Sequence, residues 1–213
     1  MGGPTTRQAV RALRAADPNL ARAIATIGAC TIERGRGAPY VALLSAIAHQ
    51  QLHGSAAAAI LTRLRGLYPG GCYPTPAELL ATPDAPLRAT GLSRAKVAAI
   101  KDVAARTLDG TVPERRRIMR LGDAAIIARL TEIRGVGRWT AEMLLMFTLN
   151  RPDVLPVDDF GIREGFRLLH GRRVQPKPRW LAAYGERWAP YRTTASWYLW
   201  RYVEHVRAER RTR

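Results

Sequence analysis

Cysteine is nearly absent from this chain. The two thiols among 213 residues, Cys30 and Cys72, lie far apart and in no metal-ligand spacing. A cysteine-held iron–sulfur cluster or structural zinc needs four thiolates close together, so neither is expected. Separated cysteines of this kind read as reduced, partly buried thiols of a cytosolic protein. Long apolar runs are missing as well. No stretch approaches the ~20 residues of a membrane span, and Met1–Ala16 lacks a signal-peptide core. The expected location is the cytoplasm, on the nucleoid if the source is bacterial, with no membrane partner. Period-two alternation is also wanting, so no segment reads as a strand.

Acidic residues are the next scarcity. Against 34 Lys+Arg stand 17 Asp+Glu, a net charge of +17 and a pI near 11.2. An excess of that size calls for a polyanionic partner, because neutralising phosphates releases counterions and gives sequence-independent affinity. Lysine supplies only Lys96, Lys101 and Lys177 of the basic total. GC-rich coding explains an Arg and Ala bias equally well, so the sign of the charge carries the inference and the arginine identity does not. With 47% hydrophobic and 24% charged residues, the chain is globular and long enough for one or two domains with a real core.

What is present is helical punctuation. Thr5–Ala16 and Asp17–Gly28 read as helices, the second capped by Asp17 with Pro18 in its first turn. Pro39 opens an apolar helix to about Gln51; Ser55–Tyr68 and a short helix near Ala77–Ala81 follow. Gly91 ends the next helix, and Ser93 caps one reaching about Leu108. Gly110–Met119 reads as a loop whose Arg115-Arg116-Arg117 run is a solvated face or a phosphate contact. Helices are expected at about Phe160–His170, Pro178–Trp188 and Tyr191–Val206, followed by a frayed Arg-rich tail. The fold class is therefore all-α, in two helical lobes with a cleft between them. Residues 39–149 would form a helical barrel lobe with a helix-hairpin-helix near 122–149, and 1–38 would pack with a C-terminal lobe, 150–213.

The most telling stretch is Leu130–Phe160. Ile126, Ile127, Leu130 and Ile133 recur at helical spacing, Gly135 and Gly137 interrupt the pattern around Val136, and a second amphipathic run starts at Trp139 and passes Met143, Met146 and Phe147. Glycines let the backbone approach a ligand closely, and amides at the start of the second helix suit a phosphate. In isolation such a turn is more often only a helix C-cap. Here it is followed by a Pro-containing extended segment and two carboxylates, Asp158 and Asp159, where another helix begins.

Leu130-x-x-Ile133-x-Gly135-Val136-Gly137-x-Trp139-Thr140-Ala141, with Asp159 twenty positions after Trp139 (159 − 139), resembles the helix-hairpin-helix DNA glycosylases. It looks most like their 3-methyladenine DNA glycosylase II branch. The resemblance runs from about Pro39 to Trp200, with a second motif at Ile47-Ala-His-Gln-Gln-Leu-His53. It implies a monomeric enzyme that takes alkylated bases, of the 3-methyladenine or 7-methylguanine type, from double-stranded DNA. Gly135, Val136, Gly137 and Arg138 would hold the DNA backbone. The carbonyls of Thr131, Ile133 and Val136 would hold a structural Na⁺ or K⁺, with no cofactor required. Some relatives carry an N-terminal β domain, which is not expected here.

Cleaving an N-glycosidic bond builds positive charge on the sugar, which a fixed carboxylate stabilises while it orients a water. The resemblance gives that role to Asp159. A purine that is already cationic departs without a general acid, so one carboxylate suffices. Helix capping is the structural reading of both Asp158 and Asp159, and it suits Asp158 better. Where lyase-active glycosylases have a Schiff-base lysine, this chain has Trp139, and an indole cannot attack the sugar. Trp139 and Trp200 match pocket tryptophans, with Met143 and Gln50 beside them; aromatic faces favour a cationic base. Trp188 and Trp197 read as core. Everting a base leaves a hole in the duplex. Gln51 and Leu52 would fill it, as plug and wedge in either order, with His53 toward the minor groove; His49 stands where many relatives have glycine. The rival reading is a non-enzymatic helix-hairpin-helix DNA-binding protein. Asp159 and the Gln-Gln-Leu-His run speak against it, because phosphate binding needs neither an acid nor a wedge.

Overall fold

The computed structural model describes residues 6–33, 35–52 and 54–212, which are helical with no strand among them. The chain divides into two compact units, one made of residues 35–149 and the other of 6–33 with 150–212. In chain order, the discontinuous unit opens with α1 (Thr6–Ala16) and α2 (Pro18–Ile27). The continuous unit holds α3 (Pro39–His49), α4 (Gly54–Gly66), α5 (Pro76–Ala81), α6 (Asp84–Ala89), α7 (Arg94–Leu108), α8 (Arg115–Ile118), α9 (Asp123–Leu130) and α10 (Arg138–Met143). The discontinuous unit closes with α11 (Phe160–Leu169), α12 (Pro178–Gly185) and α13 (Arg192–Thr212).

The discontinuous unit is built on one buried carboxylate. Asp17 caps α2 through Oδ1, which accepts from Asn19 N at 2.9 Å and Leu20 N at 3.2 Å. Its Oδ2 accepts from the Trp188 indole at 3.0 Å and the Tyr184 hydroxyl at 3.1 Å, and the side chain has no solvent exposure. A helix cap thus doubles as the anchor for the C-terminal aromatics, over a core of Leu13, Leu20, Phe166, Leu181, Trp188 and Tyr198. Trp188 and Trp197 are both buried, in keeping with the core reading. Helix α11 lies directly on α13: a Cβ on Gly165 would stand 2.3 Å from the Leu199 carbonyl oxygen, so only glycine permits that approach.

In the continuous unit, α7 packs against α3, α5 and α6 and buries Val97, Ile100 and Val103, with Leu43, Leu44, Ile47, Leu79 and Leu87 also in the core. Three local features differ from the sequence pattern. The Arg115-Arg116-Arg117 run is the single-turn helix α8 and not a loop. Its Arg115 guanidinium donates to the carbonyls of Thr148 at 2.6 Å, Gly37 at 3.2 Å and Gly35 at 3.4 Å, so it ties the two ends of the unit together. The second hairpin helix, read as one amphipathic run, is α-helical only to Met143 and then π-helical over Leu144–Thr148. The wider turn turns the following residues through a different angle from a continuing α-helix. The tail does not fray after Val206: α13 reaches Thr212, with pairs Arg201–Glu204 at 2.8 Å and His205–Glu209 at 3.3 Å along it. No helix of the described residues is long and apolar enough to cross a membrane.

Replacing Asp17 with Ala removes the α2 cap and strands the buried Trp188 N–H. The expected cost is about 2–4 kcal/mol, read as a fall in the denaturation midpoint. Asp17→Asn, which keeps one acceptor oxygen, should lose less; equal losses would show that the carboxyl group is not the anchor.

Candidate active site

Asp159 sits at the end of an extended segment whose geometry is fixed by α13. Pro152 and Pro156 keep Arg151–Asp159 out of helix. The segment is then fastened by side chains from the first turn of α13. Thr193 Oγ1 accepts from Val154 N at 3.0 Å and donates to the Arg151 carbonyl at 2.7 Å, while Thr193 N donates to the Pro152 carbonyl at 3.0 Å. Arg192 grips Asp153 with two parallel 2.8 Å bonds and reaches Glu186 at 2.9 Å. Fork-to-carboxylate pairs of this kind fix direction as well as distance.

A turn from Pro156, whose carbonyl accepts from Asp159 N at 3.0 Å, brings the chain into α11 with Asp159 as its N-cap. Asp159 Oδ1 accepts from Ile162 N at 2.7 Å and from the Trp200 indole N–H at 2.8 Å. Asp159 is half-buried, whereas Asp158 is exposed and does not cap the helix. Capping, read from the sequence for both aspartates and more for Asp158, falls to Asp159. Capping and chemistry are compatible in Asp159, since the cap bond aims the carboxyl group. Gly161 makes the contact possible: a Cβ there would lie 2.8 Å from Trp200 Cδ1 and 3.1 Å from Asp159 Oδ1.

The hairpin belongs to the continuous unit. After α9, Leu130 and Ile133 carbonyls accept from Ile133 N at 3.2 Å and Val136 N at 3.0 Å, giving two overlapping turns. Gly135 takes φ 76°, a left-handed conformation that costs glycine nothing, and Val136 is buried as a peg. Gly137 starts α10 without a side-chain cap. On α10, Trp139 is 46% exposed and Met143 is half-buried. Arg138 bonds Glu142 at 2.9 Å, and that carboxylate is 5% exposed, so the arginine also neutralises a buried charge. Among the described residues no three His, Cys, Asp or Glu side chains gather as metal ligands. Of the three hairpin carbonyls expected to hold a cation, those of Thr131, Ile133 and Val136, that of Ile133 accepts from Val136 N.

The second motif lies in the same unit. Helix α3 stops at His49, and Gln51 adopts φ 57°, a left-handed conformation for a residue with a side chain. His49 Nδ1 rests on its own helix at Ser45 O, 2.8 Å away. The Gln50 amide donates to the Gly135 carbonyl at 2.8 Å, so this side chain bridges to the hairpin. Leu52 is 41% exposed. His53 lies outside the described residues. Two residues the sequence reading missed complete the arrangement. Lys96 Nζ donates to the carbonyls of Ala48 at 2.8 Å and Gln50 at 2.7 Å, and burial pulls its ammonium below the usual lysine range. Asp102 accepts from Arg134 N at 2.7 Å. Lys96 was detectable as one of only three lysines, just after the Ser93 cap; nothing in the sequence distinguishes Asp102.

Comparison with known proteins bears on the family and the fold. A model of the HhH-GPD superfamily base excision DNA repair proteins matches residues 44–190. The chain is 44% identical to DNA-3-methyladenine glycosylase 1 of Schizosaccharomyces pombe over 163 residues, 76% of this chain and 72% of the relative. The solved structure of the S. pombe 3-methyladenine DNA glycosylase in complex with abasic DNA superposes with a TM-score of 0.82 at 40% identity, covering 90% of this chain and 94% of that one. DNA-3-methyladenine glycosidase from Bacillus halodurans gives a TM-score of 0.84 at 33% identity, covering 94% and 91%.

Gly161→Ala should push the Trp200 indole off Asp159, at an overpacking cost of about 1–3 kcal/mol. The Trp200 indole N–H resonance is the readout. A clear chemical-shift change with the fold retained is expected, and an unmoved resonance would mean that the pair tolerates a methyl group at 161.

Proposed function

The chain belongs to the HhH-GPD superfamily of base excision DNA repair proteins, and from that premise we propose that it is a monofunctional DNA glycosylase for alkylated bases. The observation that carries the reading is the Asp159 carboxylate, aimed by the Ile162 amide and the Trp200 indole through one oxygen. A carboxylate held this way needs no reorganisation when positive charge develops on a deoxyribose, which is where preorganised electrostatics lowers a barrier. It also orients the attacking water. The bond that breaks joins C1′ to the base nitrogen; its electron pair leaves with the base and neutralises the cationic ring. Water oxygen bonds C1′, and its proton passes to solvent by way of the carboxylate.

Trp139 occupies the hairpin position at which a lysine would form a Schiff base, so release stops at the abasic site without strand cleavage. The substrate class follows from charge. Trp139, with Met143 beside it on α10, and Trp200 on α13 are each a π face that favours a cationic base such as 3-methyladenine or 7-methylguanine. Names of the relatives point to 3-methyladenine among such bases. Gly135–Arg138 grip the DNA backbone, and the Thr131, Ile133 and Val136 carbonyls hold a Na⁺ or K⁺ that brings further positive charge to the phosphate. Gln51 and Leu52 fill the space of the everted nucleotide, with His53 toward the minor groove. The protein acts as a monomer on duplex DNA in the cytoplasm.

The test is release of methylated bases from alkylated duplex DNA, with alkali-labile sites counted in parallel. Wild type should free the base, and Asp159→Asn should lose on the order of a hundredfold or more in rate while still binding DNA. Breaks in wild-type reactions before alkali treatment would refute the monofunctional assignment. Tight binding with no release by either protein would instead identify a helix-hairpin-helix DNA-binding module.

A further inference from the structure

A nucleotide that leaves the helix opens a gap in the duplex, and a turn that fills it must already have its shape when that happens. Gln51 at φ 57° holds a left-handed conformation that a residue with a side chain seldom adopts, so it persists only where the surroundings over-determine it. The surroundings here are one face of α7. At its N-terminal end Lys96 binds the carbonyls on either side of the helix end, Ala48 at 2.8 Å and Gln50 at 2.7 Å. One turn on, the Ala99 Cβ lies 3.0 Å from where a Cβ on Gly135 would stand. A further turn on, Asp102 takes the Arg134 amide at 2.7 Å. Residues 96, 99 and 102 fall at i, i+3 and i+6, on adjoining parts of one helical surface. The Gln50 amide closes the circuit on the Gly135 carbonyl at 2.8 Å.

A single rigid helix thus sets the spacing between the turn that follows α3 and the hairpin that grips phosphate. We propose that Lys96 is a positioning residue that pre-shapes the Gln51–Leu52 turn and fixes its distance from the hairpin, so that binding the backbone delivers the turn into the duplex at the height of the everted nucleotide. This rests on the glycosylase reading for its purpose but not for its physical content. Its consequence is selective. Without Lys96 the protein still binds duplex through the hairpin, yet the turn relaxes and no longer stabilises the opened base step.

Lys96→Met keeps the length of the side chain and deletes the donors. It is compared with wild type on a duplex carrying one 7-methylguanine with 2-aminopurine on its 3′ side, whose fluorescence rises when stacking is broken. Base release is followed on the same duplex and on one in which the lesion faces an abasic analogue, where opening needs little support. The expected result is an enhancement and a paired-duplex rate both lower by about tenfold, with the rate opposite the abasic analogue and affinity for undamaged duplex within about threefold of wild type. Equal fluorescence and rates in the two proteins would overturn the proposal. So would a uniform loss on both duplexes and on undamaged DNA, which would make Lys96 a general DNA or stability residue. If wild type enhances fluorescence but releases no base, the glycosylase reading fails and the positioning role is judged on the fluorescence difference alone. If wild type gives no enhancement, the positioning role fails, and the glycosylase reading is judged on base release alone. Should Lys96→Met not fold, Lys96→Ala takes its place with the same expectations, because its gap admits water to both carbonyls.

Discussion

The bond between the Trp200 indole and Asp159 Oδ1 is the contact on which the candidate chemistry depends, and much of the discontinuous unit serves it. A carboxylate at a helix start can swing between rotamers, and the Ile162 amide alone would leave its orientation partly open. The indole supplies the second direction, but only if α13 comes close enough to α11. Gly161 and Gly165 allow that approach, since a methyl group at either position would collide with Trp200 or with the Leu199 backbone. Distance from the chemistry therefore does not make a residue irrelevant to it: Arg192 and Thr193 set where the extended segment lies before Asp159 is reached.

The two units solve a similar problem by different means. Around Asp159 the constraint is side-chain packing on a polar pair. In the continuous unit, turns without regular structure are held by a helix whose side chains answer their main-chain groups: Lys96 for carbonyls, Asp102 for an amide. Charged groups are suited to this because they bind orphan backbone groups strongly at loop ends, where neutral partners are weaker. Arg115 does the same where the unit closes, taking carbonyls from both of its ends. Basic residues in this chain are thus divided between structure and the polyanion that its net charge of +17 anticipates.

Helix starts were the most legible part of the fold. Asp17-Pro18 and Ser93 cap their helices as such residues do, because a cap is satisfied by atoms within three residues of itself. The Asp17 cap also illustrates the limit, for its second oxygen binds Trp188 from the far end of the chain, and no local pattern announces that. Failures share one cause. The π-helical turn after Met143, the helical Arg115 segment and the long C-terminal helix depend on what packs or pairs beside them, whereas periodicity assumes a regular helix and polarity suggests a loop.

By itself, the sequence determined an all-helical chain, the polyanionic partner, the hairpin and the presence of Asp159 at the start of a helix. These follow from spacing, caps and charge, which act over a few residues or over the sum of the chain. Tertiary structure alone decided which aspartate caps α11, that the Trp200 N–H meets it, that Gln50 turns to the hairpin carbonyl, and that Lys96 holds the turn between them. Each of those contacts joins residues 41 to 85 positions apart, apart from the local cap. Their geometry is set by how closely two helices pack, a quantity that no residue records alone.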